Sequence, residues 1–245
     1  MTAPQMDLLG LLDDAAFMTL EAQVHLREDV LEALGENRWD VDLATRRFWI
    51  TGERGTLECT NVHLLGSAAP GPRSWLWSWA NPTQFGPGVT DLAQALRDYG
   101  QQYGIGHLTV AEVPFDYWPG EPTDPAEVAA FAALAASAFS GRWVQYTPQA
   151  NAGGTRMALL IEHPSFELPP VTAPRLMRVL KQGLETMTIN DHRRALNTYA
   201  FRRGLQAVFE PDGSSLLLGA PDFQATVSFD AHGRVTNLSA QMGGS

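Results

Sequence analysis

The stretch SWLWSWANPT, residues 74–83, sets Trp75, Trp77 and Trp79 on alternate positions and closes on Asn81-Pro82. Alternation with a period of two marks a β-strand, whose successive side chains point to opposite faces. Read this way, the three indoles share one face and Leu76, Ser78 and Ala80 share the other. The second face is too small and mixed to be the main apolar one. The tryptophans are therefore expected to form a sheet wall that helices cover, with one ring lining a cleft. An exposed stripe of three indoles would instead be an apolar patch of the kind that marks a binding site. The candidate ligand-contacting residues are Trp79 and Asn81 at the strand's end, with Trp75 and Trp77 behind them. Capping a loop is the ordinary role for the Asn81 amide.

Helices to cover such a wall are present on both sides of it. Phe17, Leu20, Val24, Leu31 and Leu34 recur at helical steps before Gly35, a suitable stop. Val89, Leu92, Leu96, Tyr99 and Tyr103 predict a second helix closed by Gly104. Asp124-Pro125 opens an alanine-rich third helix in the manner of an N-cap followed by proline at the first helical position. Between them, Trp39, Val41 and Leu43 alternate with aspartates, and Phe48, Ile50, Leu57 and Val62–Leu65 continue an antiparallel meander. Leu108 to Phe115 is expected to be extended, and a hairpin around 151–154 completes the sheet.

The character of the chain changes at EHPSFELPPVTAP, residues 162–174, where four prolines favour an extended connection. Residues 1–168 carry 21 acids and 9 bases, net −12, and hold all the tryptophans and the lone cysteine. Residues 169–245 carry 6 acids and 8 bases, net +2. Two regions are expected, 1–168 and 169–245. The second reads as helices over 173–187 and to about 203, then strands at 206–210, 214–218, 223–229 and 234–240 separated by EPDG, GAPD and DAHG turns. The fold class is α+β: an antiparallel meander with packed helices, followed by a smaller helix–helix–antiparallel-sheet region.

Composition narrows the chemistry. A net charge of −10 argues against general affinity for nucleic acid or anionic membranes. The single cysteine, Cys59, excludes internal disulfides and Cys-rich zinc sites. The first residues carry no cationic leader, and no run of about 18 uncharged apolar residues spans a bilayer. A soluble, cytoplasmic protein is expected.

Glu21, His25 and Glu28 share one side of a helix and form a candidate metal set, though helical metal sites draw further ligands from other helices. No second Glu-x-x-His supplies them, so a solvated helix flank is the plainer reading. The six histidines are scattered and no Gly-x-Ser-x-Gly elbow accompanies them. Seven bases fall between Arg175 and Arg203, but a region of net +2 falls short of a nucleic-acid-binding surface. These bases read as a solvated face or an interface with the acidic first region. No cofactor is expected.

The phrases QVHLREDVLEALGENRWDVDL (23–43), LLGS (64–67), WLWSWANP (75–82) and LRDYGQQYGI (96–105) resemble an uncharacterised family of bacterial proteins. The resemblance covers roughly residues 20 to 145 and implies a domain, not a reaction. With no catalytic spacing standing out, the expected function is that of a non-catalytic binding or regulatory protein recognising a partner protein or small ligand. The alternative is an enzyme, metal-dependent through Glu21, His25 and Glu28 in one version, whose site assembles only in the fold.

Overall fold

The structure is a computed structural model that describes residues 7–83 and 85–242. It divides into two compact units. One joins the stretch ending at Leu11 to Ala22–Glu167, and the other joins Leu12–Glu21 to the chain from Leu168 onward.

In the first unit, α1 (Leu8–His25) starts at Asp7, whose carboxylate accepts the Gly10 N–H at 2.8 Å. The helix thus begins well before Phe17. It continues through a π-helical stretch, Leu26–Leu31, into α2 (Glu32–Leu34), and Gly35 stops it with φ +79°. Strands β1 (Asn37–Asp42), β2 (Arg47–Gly52) and β3 (Gly55–Cys59) form a meander that buries Phe48, Ile50, Leu57 and Cys59.

The meander ends there, and the next strands build a separate sheet. These are β4 (Asn61–Ala69), β5 (Ser74–Trp77), β6 (Glu112–Pro114), β7 (Gln145–Tyr146) and β8 (Arg156–Glu162), in the order β6-β5-β4-β8-β7. The unit's remaining helices are α3 (Asp91–Tyr103), α4 (Gly106–Thr109) and α5 (Pro125–Ser140). Asp124 caps α5 as its sequence predicts, accepting the Ala126 N–H at 2.8 Å. Its alanines at 129, 132, 133, 135 and 136 are fully buried, which lets the helix lie close against β4 and β8.

Trp75 and Trp77 are completely buried and meet edge to face, ring centres 5.3 Å apart. Only glycine fits opposite them, since a Cβ at Gly66 would meet the Trp75 ring at 2.6 Å. The strand stops at Trp77. Ser78 donates its hydroxyl hydrogen to the Leu64 carbonyl at 2.6 Å, and Ser78–Ala80 turns into a 3-10 helix. Trp79 therefore leaves the alternation and lies half-buried under the Arg97 guanidinium, 4.3 Å from its ring centre. Asn81 accepts the Thr83 N–H at 2.9 Å and so closes the turn.

In the second unit, α6 (Ala173–Thr186) and α7 (His192–Arg202) are capped by Thr172 and Asp191. They pack on the antiparallel sheet of β9 (Gln206–Phe209), β10 (Ser215–Ala220), β11 (Phe223–Phe229) and β12 (Val235–Met242), order β12-β11-β10-β9. Leu216, Leu218, Phe223, Ala225 and Val227 fill the covered face.

The middle of α1 completes this unit, a role that no sequence signal announces. Asp13 accepts the Asn190 and Asp191 backbone N–H groups at 2.8 and 2.9 Å. Asp14 receives Arg194 through two bonds, at 2.9 and 2.6 Å, and the Thr198 hydroxyl at 2.8 Å. Glu21, with no exposed surface, holds Arg175 at 2.9 Å, the Tyr199 hydroxyl at 2.9 Å and Arg203 at 3.0 Å. Phe17 packs beside Tyr199, and a Cβ at Gly183 would meet its ring at 2.6 Å. Three of the seven bases between Arg175 and Arg203 are thus satisfied by carboxylates of the first helix.

Among the described residues no helix is long and apolar enough to cross a membrane.

Candidate functional site

The tryptophan wall has a purpose on its far side, where the chain between α3 and α5 lies. Gly104, at φ +70°, ends α3, and the Ile105 N–H returns to the Gly100 carbonyl at 2.9 Å. A Cβ at Gly100 would meet the Leu108 Cβ at 2.6 Å, so this glycine admits α4 directly against α3. Ile105 and Leu108 are buried and fix the turn, while Gly106 and Val110 face outward. Residues 108–115 are therefore not one extended run. They close a helical turn, extend only over Glu112–Pro114, and turn again at Phe115–Tyr117.

Trp77 holds this segment in place. Its indole N–H donates to the His107 carbonyl at 2.9 Å, and its backbone N–H donates to Ala111 at 3.1 Å. Trp118, itself fully buried against Trp75 and Phe131, meets the His107 ring edge to face, ring centres 5.6 Å apart. The His107 Nε2 lies 2.7 Å from the Tyr117 carbonyl. A carbonyl only accepts, so Nε2 carries the hydrogen, and in the neutral ring Nδ1 is the acceptor.

Two adjoining cavities open around these residues. One, of about 360 Å³, is lined by Gly106, His107, Val110, Val113, Pro114 and Tyr117. The other, of about 520 Å³, shares Gly106, His107 and Tyr117 and reaches Asp7, Leu9 and Tyr103. Volumes of this order suit small-molecule ligands. The rim is apolar and open to solvent: Tyr117 is 69% exposed, Val110 52%, Tyr103 45% and Leu9 38%. A contiguous exposed apolar rim around a concavity is a binding feature, whereas single exposed apolar residues are commonplace.

The residues singled out from sequence fall in different places. Trp75 and Trp77 form the wall behind the cleft, with Trp77 bonded to its backbone. Trp79 and Asn81 lie at the end of β5, occupied with Arg97 and Thr83. Glu21, His25 and Glu28 do not gather into a metal set, and no group of three His, Cys, Asp or Glu side chains among the described residues is placed to hold an ion. Glu21 is taken up by two guanidinium groups and a phenol. His25 instead bonds Asp29 at 2.6 Å and the Ser165 carbonyl at 3.1 Å. His107 was one scattered histidine among six. Its one local signal is the pair of glycines at 104 and 106 that follow a helix stop.

A second polar cluster is structural in form. His63 on β4, 6% exposed, bonds Glu162 on β8 at 2.8 Å, and Arg142 reaches the same carboxylate oxygen at 2.8 Å. Burial pushes the His63 imidazole below its ordinary range. Burial also works to raise the Glu162 carboxyl, but the bonds from Arg142 and His63 outweigh it and hold that group low.

No curated protein and no solved structure matches the chain. One family model does, over residues 9–164, a span that takes in the cleft lining except Asp7 and Leu8: Family of unknown function (DUF6882). With well over half its length matched, the chain belongs to that family.

Proposed function

We propose that this protein is a non-catalytic, cytoplasmic binding or regulatory protein that takes a small ligand into the cleft at His107 and Tyr117. One observation carries the reading: solvent-exposed tyrosines and His107 rim a concavity whose backbone is bonded to a buried tryptophan. Preorganisation of this kind lowers the ordering cost of binding. The buried free thiol of Cys59 suits a reducing compartment.

A neutral fluorescent aromatic probe tests the site. The wild-type protein should bind it with one-to-one stoichiometry. Tyr117→Ala and His107→Ala should each weaken it about tenfold, the range of aromatic anchors, and Tyr117→Ala should leave the melting temperature close to wild type. Probe binding indifferent to both substitutions would remove the cleft from consideration.

A further inference from the structure

The cleft's charge is one-sided. Among the described residues its lining includes one carboxylate, Asp7, and no Lys or Arg. The stretch that supplies most of its lining, residues 103–119, carries two acids (Glu112 and Asp116) and no Lys or Arg. Asp7 does cap α1, and a helix N-terminus carries roughly half a positive charge. A full carboxylate charge exceeds that half charge, so the local field stays negative. One Asp7 oxygen accepts the Gly10 N–H at 2.8 Å, and a carboxylate retains further acceptor sites on its second oxygen.

Two further features of the cleft point the same way. With Nε2–H committed to the Tyr117 carbonyl, Nδ1 is the acceptor of the His107 ring whenever that ring carries a single proton. Tyr103 and Tyr117 present exposed rings, whose faces attract cations. Acceptors, a carboxylate and aromatic faces in a space of several hundred Å³ select a positively charged donor with an apolar body.

Resting on the cleft being a small-ligand site, we infer that its ligand is an organic ammonium ion. The ammonium is held by Asp7 and the Tyr faces, with the His107 Nδ1 as a further acceptor, and the apolar body lies along Val110, Val113 and Pro114.

Calorimetric titration of the full chain with three ligands of one shape tests this: 2-phenylethylammonium, neutral 2-phenylethanol and anionic 3-phenylpropanoate. The ammonium should bind tightest and the carboxylate weakest. Asp7→Asn keeps a good helix cap, so the fold should persist while ammonium affinity falls about threefold to tenfold, toward that of the alcohol. Equal or tighter binding of the alcohol or the carboxylate overturns the inference, as does an ammonium preference that survives Asp7→Asn. If the ammonium fails to bind but the neutral fluorescent probe still depends on Tyr117, the inference falls and the cleft stands. If probe binding is also indifferent to Tyr117, both fall together.

Discussion

The two units bury their cores by opposite means. Around Trp77 the first unit is dry and aromatic, with edge-to-face indoles and fully buried alanines setting the spacing. Around Glu21 the second unit buries charge, and each α1 carboxylate is matched by guanidinium, hydroxyl or backbone N–H donors. A matched buried charge specifies which helices meet but leaves no valence for a ligand. The aromatic wall packs ring against ring and anchors the neighbouring segment through the Trp77 indole, leaving the charged groups of that segment outside the packed core. That difference is why the candidate site lies beside the tryptophans and not among the buried acids.

Truncating the centre of each network gives the largest effects. Glu21→Ala takes the shared, fully buried carboxylate partner from Arg175 and Arg203 and should cost about 3–5 kcal/mol. Trp77→Ala should cost about as much through cavity formation, ~3–5 kcal/mol. Native-state hydrogen exchange separates the two: Glu21→Ala should loosen α6 and α7 first, and Trp77→Ala should loosen β4, β5 and α4 first. Loosening in the reverse pattern would break the contrast.

Overpacking comes next. Gly66→Ala presses a methyl into the Trp75 ring and the Leu76 carbonyl oxygen, and Gly183→Ala presses one into Phe17. Each should cost about 1–3 kcal/mol in chemical denaturation.

Acid should act with opposite sign through His63 and Glu162 of the first unit and through Asp13 of the second. His63, whose folded value lies below its ordinary 6.5, takes a proton in the unfolded chain first. Its stabilisation is therefore present above pH 6.5 and declines as pH falls below it. Glu162, held below its ordinary 4.5, adds a further loss as pH falls through that range to its lower folded value. Asp13 runs the other way. Burial lifts it above its ordinary 3.8 despite two backbone N–H bonds, so the folded state takes up its proton first as pH falls. His63→Gln should accordingly flatten the pH dependence of stability near 6.5 while Asp13→Asn should not, a distinction that melting curves across pH 4–8 can read.

The smallest effect on stability belongs to the residue most important for binding. Tyr117→Ala, at the surface, should shift stability by no more than about 0.5 kcal/mol.

Much of this was legible from local pattern. The four C-terminal strands, their turns, the cap at Asp124 and the stop at Gly104 are written in short-range chemistry, and alternation correctly paired Trp75 with Trp77. Trp79 escaped because a hydroxyl bond from Ser78 to Leu64, fourteen residues away, decides where the strand ends. The membership of residues 12–21 in the second unit escaped for the same reason on a larger scale. Asp13, Asp14 and Glu21 look like solvated helix residues until partners more than 150 positions away reach them. The cleft was the least visible feature, since it arises from Gly100 admitting Leu108 and from an indole bonded to a carbonyl thirty residues distant. None of these has a period or a motif.

The seven indole N–H groups give the most direct test of the cleft. In a spectrum of protein labelled with nitrogen-15, adding 2-phenylethylammonium should move the Trp77 indole resonance, whose hydrogen is bonded to the His107 carbonyl. It should leave Trp39, on β1, in place. Saturable movement of Trp77 alone or with Trp118 is the predicted result. Movement of Trp39 with Trp77 unmoved, or a uniform drift of all seven, would contradict the account.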